Sequence, residues 1–409
     1  MANHRLSRMS GRDLHESHRV STPLELLFDL TFALAFGLAG TQVAHVLAEG
    51  HFLTALAGYA FAAFAICWAW VNFSWFASAY DTDDWIYRIL TMIQMVGVLV
   101  LAMGLKPVFD SIDHGTVLDN RILVMGYVIM RLALVAQWLR AAKQDPKRRR
   151  VAMTYVVTLL IAQVLWVVIA LIDLPIIPTF LLMLVPYVIE LSGPFLAEQK
   201  DGGTPWHPHH IAERYGLLTI IALGECVIGT LASVSAFVDS EGWNADAILL
   251  CVAGLGLTFG MWWIYFVVPA GELLHRHRER SFFWGYFHMV IFAAIAATGA
   301  GLHVAGLYIE HEAHITAVET VLTVAVPVAL YVVSLFILYM RLTASNDLFH
   351  FYLSLGTITV LALSVLLAYL GVPMTYCLIA LMCAPAVTVL GYELRGYRDV
   401  ARVTGESVH

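Results

Sequence analysis

Asp29 and Glu225 lie in stretches that are otherwise almost wholly apolar, "LLFDLTFALAFG" and "IIALGECVIG". A carboxylate in such a setting is costly while charged, so it either meets a cation or takes up a proton. The chemistry on offer is therefore proton uptake and release, or ion pairing. Candidate partners at comparable depth are Arg131, Glu190, Asn72, Gln94 and His288, and Arg88 sits nearer one end of its apolar stretch. The acids outnumber Arg131, so at least one of them is expected to hold a proton rather than a charge. The structural alternative is that these residues form buried pairs that fix packing between helices.

Glu25 precedes Asp29 by four positions, which places both on one face of a helix. Glu213 and Arg214 stand at the corresponding start of the later stretch. Near a helix N-terminus, Glu25 and Glu213 have an ordinary role in complementing the positive end of the helix. That role does not reach Asp29, about 9 Å into its helix, or Glu225, about 18 Å beyond Glu213 at 1.5 Å per residue. In "WHPHHIAE", His209 and Glu213 are four apart with His210 adjacent, a spacing that offers two metal ligands on one face. The HExxH order is missing, no third ligand is visible, and Pro208 marks a turn at the helix start. No metal and no cofactor are expected, with His209, His210 and Glu213 as secondary candidates only.

The elements that must carry these residues follow from composition. Of 409 residues, 60% are hydrophobic and 13% charged, against roughly 25% charged in soluble domains. Apolar runs long enough to cross a hydrocarbon core as helices recur along the chain. About twelve are expected, over 23–47, 52–79, 85–109, 118–142, 151–172, 175–198, 209–236, 244–268, 282–308, 316–340, 350–370 and 373–394. The first is too long for a signal-peptide core and should remain as a span. All five cysteines fall inside apolar runs without metal-ligand or CxxC spacing, which excludes a disulfide framework or zinc site on sequence grounds. A net charge of −7 with no basic stripe points away from nucleic acid.

Basic residues cluster in four places: Arg5, Arg8, Arg12 and Arg19; Arg140, Lys143 and Lys147–Arg150; Arg276, Arg278 and Arg280; and Arg395, Arg398 and Arg402. The positive-inside rule puts all four, and so both termini, in the cytoplasm of an inner membrane. The loop "AYDTDDW" at 79–85 is an acidic exception on that side. The chain also repeats itself at an offset of about 188–200 positions, matching Glu25 with Glu213, Thr31 with Thr219, Trp70 with Trp263, Phe73 with Phe266, Pro175 with Pro373 and Pro186 with Pro385. The expected architecture is an all-α polytopic transmembrane bundle of two parallel six-helix repeats. A cytoplasmic arm covers 1–22, the halves 23–200 and 207–395, and a tail 396–409, with a site expected between the halves.

"STPLELLFDLTFALAFG" and "HIAERYGLLTIIALGECVIG" resemble the hallmark stretches of the bacterial low-temperature-requirement A (LtrA) family, and the resemblance runs from about residue 16 to the end of the twelfth span. It is carried by Pro23, Glu25, Phe28, Asp29 and Phe32, and by Glu213, Arg214, Gly216, Leu217, Ile220, Gly224 and Glu225. Cys226 stands where serine is familiar. The resemblance implies a polytopic bacterial plasma-membrane protein, linked by name to growth in the cold, with no established substrate.

Function must then be read from the site. The first reading is a secondary transporter or proton-coupled permeation protein using Asp29, Glu190, Glu225, Arg131 and His288, not an enzyme, with membrane lipids and a small solute or proton as partners. The major-facilitator pattern Gly-x-x-x-Asp-Arg-x-Gly is missing between the second and third spans. Other readings are a membrane enzyme or lipid-binding protein built on His209, His210 and Glu213, or a sensor with every charge paired. Glu225 itself is expected to face Arg131, His288 or a water-filled cavity. Substrate, coupling ion and oligomeric state stay open.

Overall fold

A computed structural model describes residues 6–12, 20–343 and 348–396. Arg5, Arg19, Arg398, Arg402 and the expected tail from 397 onward lie outside the described residues. Every element of regular structure among the described residues is helical: α1 (Pro23–Ala48), α2 (Phe52–Tyr80), α3 (Trp85–Met103), α4 (Leu105–His114), α5 (Arg121–Gln144), α6 (Arg149–Leu171), α7 (Ile176–Glu198), α8 (Pro208–Glu241), α9 (Ala245–Phe266), α10 (Ala270–Arg276), α11 (Ser281–Ile309), α12 (Ala317–Thr343), α13 (Leu348–Tyr369) and α14 (Met374–Gly391). Twelve helical runs among the described residues are long and apolar enough to cross a membrane. Helices satisfy all their backbone groups internally, which lipid requires.

One span expected as a single run is divided. The third breaks at Gly104 between α3 and α4, where a Cβ on Gly104 would stand 2.3 Å from the backbone nitrogen of Leu123. The eighth, expected over 244–268, is α9, and a further short helix, α10, follows it after Pro269, which has no amide hydrogen to continue the ladder. Helix α8 runs to Glu241, beyond the expected limit of 236, because its polar residues Ser233, Ser235, Asp239 and Ser240 end the apolar run without ending the helix.

The chain divides into two compact units. The first holds the described residues up to Ala39 with Leu56–Arg214, and the second holds Gly40–Ala55 with the described residues from Tyr215 onward. In the first unit α3 and α5 approach backbone to backbone: a Cβ on Gly126 would lie 2.2 Å from the Leu101 nitrogen, and one on Gly97 would lie 2.7 Å from the Gly126 oxygen. Small residues permit this contact, which is how helices associate where lipid removes the hydrophobic drive. Gln94 donates to Gln137 at 2.9 Å, and Gln137 donates to Thr91 at 3.2 Å across the same pair. Farther along α5, Trp138 stacks on Tyr155 of α6 with ring centroids 4.1 Å apart. The second unit uses the same device between α8 and α11, where a Cβ on Gly299 would lie 2.5 Å from the Glu225 backbone.

At the 79–85 loop, Asp84 caps α3 by accepting from the Tyr87 amide at 3.0 Å. Arg140 clasps the same carboxylate from both guanidinium nitrogens, one at 2.8 Å, and also donates to the Ser7 carbonyl at 2.8 Å. Burial pushes the Asp84 carboxyl up, but the Arg140 and Tyr87 hydrogen bonds outweigh it and hold the group below its ordinary value. A depressed folded value stabilises the fold above the unfolded carboxylate range of about 4, and this contribution disappears as pH falls through the folded value. Melting in detergent from pH 7 to pH 3 is expected to show a gap between wild type and Arg140→Gln that narrows below about pH 4. A gap of constant size would remove this account of the clasp.

Candidate functional site

Helix α1 starts with Thr22-Pro23-Leu24-Glu25. The Glu25 amide donates to the Thr22 hydroxyl at 3.3 Å, and the Thr22 amide donates back to Glu25 Oε2 at 2.7 Å. This reciprocal pair is a capping box, with Pro23 at the first helical position where its missing N–H costs nothing. Glu25 is therefore a helix cap, as its position suggested, but its other oxygen is engaged elsewhere. Arg214 of α8 places Nη1 3.1 Å from Glu25 Oε1 and Nη2 2.6 Å from Asp29 Oδ1. His210, one turn before Arg214, brings Nε2 to 3.2 Å from Glu25 Oε1. Trp70 of α2 donates to Asp29 Oδ1 at 2.7 Å, and Ser74 lies 3.3 Å from Arg214 Nη2.

All four ionisable side chains of this cluster are at zero exposure. Two carboxylates thus share one guanidinium, and His210 is a second group among the described residues able to supply positive charge. Among the described residues, buried Asp29 Oδ2 has no hydrogen-bond partner. Protonation of either His210 or one acid would balance the charge of these four groups.

The other candidates of the first unit separate into independent groups. Glu190 accepts four donors: Tyr127, Arg131 at 3.0 Å, Gln163 at 3.0 Å and Trp166 at 3.1 Å. Arg131 and Glu190 are therefore a buried ion pair, with Arg131 also lying over the Tyr127 ring. Asn72 donates to the Trp68 carbonyl one turn back, and Gln94 belongs to the α3–α5 ladder. Arg88 makes a bidentate contact to Asp83 on an exposed loop. Glu213 accepts from the Ser21 amide at 3.1 Å. Since His210 turns to Glu25 and Glu213 to Ser21, the two do not share a centre, and among the described residues no three His, Cys, Asp or Glu side chains gather to hold a metal.

In the second unit His288 is engaged by the Trp284 carbonyl at 2.7 Å and the Tyr265 hydroxyl at 3.1 Å, inside an aromatic nest of Tyr215, Trp284 and Phe292. Glu225 is 9% exposed and has neither ion pair nor hydrogen bond among the described residues. Its Oε2 lies 4.0 Å from where a Cβ on Gly40 of α1 would stand. The expected pairing with Arg131 or His288 is thus replaced by a bare carboxylate among glycines, because both proposed partners are satisfied on their own helices' neighbours.

Comparison with known proteins places this arrangement. Residues 20–385 match the family model described as bacterial low temperature requirement A protein (LtrA). The chain belongs to the LtrA family. An uncharacterized protein of Rhizobium meliloti (strain 1021) is similar to it at 25% identity over 292 residues, 68% of this chain and 67% of the relative. Every candidate residue of this LtrA protein lies inside the matched range.

The functional groups that the motif positions alone did not disclose are Trp70, Ser74 and the pairing of Arg214 with both acids of α1. Arg214 and Glu25 are 189 positions apart, and spacing predicts no contact over such a distance. One local signal was available: His210 and Arg214 are four apart, so they share a face as Glu25 and Asp29 do. Two matched charge pairs of opposite tendency on two helices predict a helix–helix ion-pair network.

Proposed function

We propose that this LtrA-family protein is a proton-coupled secondary transporter of the bacterial inner membrane, with both termini cytoplasmic. The observation that carries the reading is the sharing of one buried guanidinium, Arg214, between Glu25 and Asp29, with an Asp29 oxygen left without a donor. A proton arriving on Asp29 releases Arg214 to Glu25 alone. Its departure restores the shared grip, so proton occupancy biases how α1, α2 and α8 are clamped within the first unit. A ligand moves such an equilibrium only by its differential affinity for the two states, and a solute that binds one of them is thereby coupled to the proton. The basic residues of the described loops support the orientation. That His210 reaches Glu25 while Glu213 accepts from Ser21 favours this reading over a membrane enzyme or lipid-binding protein built on His209, His210 and Glu213.

The test uses proteoliposomes loaded with a pH-sensitive dye under an imposed inside-negative potential. Wild type is expected to acidify the lumen faster than protein-free vesicles. Asp29→Asn, which keeps the Trp70 and Arg214 contacts in shape but removes titration, is expected to fall to the protein-free rate while remaining monodisperse. Equal proton entry in wild type and Asp29→Asn, or none above background in wild type, would refute the proposal.

A further inference from the structure

We infer that Glu225 exchanges protons with the outer surface along a path lined by His303, His45 and the Glu49–His314 pair, all within the second unit. The inference rests on the transport reading and adds a route and a side to it. Glu225 lies midway along α8, seventeen residues from Pro208 and sixteen from Glu241. Its backbone is pressed against Gly299 of α11, and its carboxylate faces Gly40 of α1. Both glycines mark the level of the acid on their helices.

Proceeding toward the C-terminal ends of those helices, the first titratable groups are His303, four residues past Gly299, and His45, five past Gly40. These spacings correspond to an axial rise of about 6–8 Å, a gap on the scale of one or two bridging water molecules. The two rings meet at the same level, with centroids 5.9 Å apart and planes 65° apart. One turn beyond His45, Glu49 Oε2 is 2.7 Å from His314 Nδ1, and the His314 amide donates to the Ala48 carbonyl at 2.7 Å, docking the loop on the end of α1. Exposure rises in the same order: Glu225 is buried, His303 half-buried, and His45, Glu49 and Glu310 are exposed.

Other titratable groups facing this line are few. On α8 itself, the Cys226 thiol turns away to donate to the Ile295 carbonyl, and Asp239 stands near the outer end with Glu310 and Glu312 of the following loop. Those three carboxylates repel one another, which raises the Glu310 carboxyl through burial first and then through its two neighbours, so the mouth attracts protons. An imidazole accepts a proton on one nitrogen and releases the proton from the other, so each hop conserves charge and leaves a neutral ring after it turns over. No cation of this unit competes for Glu225 among the described residues.

The experiment uses a hydrophobic carbodiimide, which modifies only a protonated carboxyl in apolar surroundings, on sealed right-side-out bacterial vesicles with outer and inner pH set independently. Modification of Glu225, read by peptide mass spectrometry, is expected to fall as outer pH rises and to ignore inner pH. After an outer pH jump the change is expected to be several-fold slower in His45→Gln/His303→Gln, in which an exposed and a half-buried imidazole are replaced by polar amides and the variant is first checked for a monodisperse peak. Modification that follows inner pH, an unchanged rate in the double variant, or no modification of Glu225 at any pH would overturn the path. Proton entry into dye-loaded proteoliposomes is measured in parallel. Outward-controlled modification without proton entry would sink the transport reading and leave the path standing, whereas proton entry with inward-controlled modification would do the reverse.

Discussion

Replacing Arg214 with leucine is expected to leave almost no folded protein in detergent. The side chain is fully buried and is the guanidinium within reach of both Glu25 and Asp29. Removing one member of a buried pair costs about 3–5 kcal/mol because the other charge is left in a low-dielectric interior without compensation. Here two carboxylates 4 positions apart on one helix would lose the guanidinium they share and repel each other as well. Fluorescence-detected gel filtration should show aggregation or loss of the peak. The same substitution combined with Glu25→Gln and Asp29→Asn should restore a monodisperse peak, because no buried charge then lacks a partner. Single-variant protein with the melting temperature of wild type would mean that the cluster carries no such charge.

The second large effect contrasts two acids that the sequence treats alike. Arg131→Met removes the one cation bonded to Glu190 and leaves that carboxylate with three neutral donors, Tyr127, Gln163 and Trp166. A loss of about 3 kcal/mol or more is expected, read as a clear fall in melting temperature. Glu225→Gln strands nothing, because no ion pair or hydrogen bond among the described residues depends on that carboxylate. A neutral amide replaces a group that is costly to bury charged, so this variant is expected to melt at or above wild type. If Glu225→Gln were the less stable of the two, Glu225 would be a structural residue and the outward path would lose its terminus.

The fold was legible because length and apolar content alone determine which segments can cross a membrane. The interruption at Gly104 was not, since it depends on how closely the Leu123 backbone approaches, a property of two helices at once. The site was legible in part for a similar reason. Asp29 and Glu225 were marked by depth, and depth is a one-dimensional property. Partnership is not, and Arg131 was read as the partner of midplane acids when its neighbour across α5 and α7 is Glu190. Arg214 lies early in α8, beside Glu213, for which a role at the helix end was the ordinary reading. It reaches inward because Glu25 and Asp29 present two acids on one face of α1. His45 and His303 passed unmarked, being near helix ends where polar residues are common.

The glycine contacts of α3 and α5 have a mechanical consequence. Where Gly104 and Gly126 let one backbone rest on another, few side chains stand between the helices to change rotamer and absorb a displacement. Sliding by even a fraction of a residue would drive Cα against carbonyl, and the Gln94–Gln137–Thr91 ladder would lose its register at once. The two helices therefore form a rigid plate, and any working motion within that unit must be borne by the helices that pack with longer side chains around it.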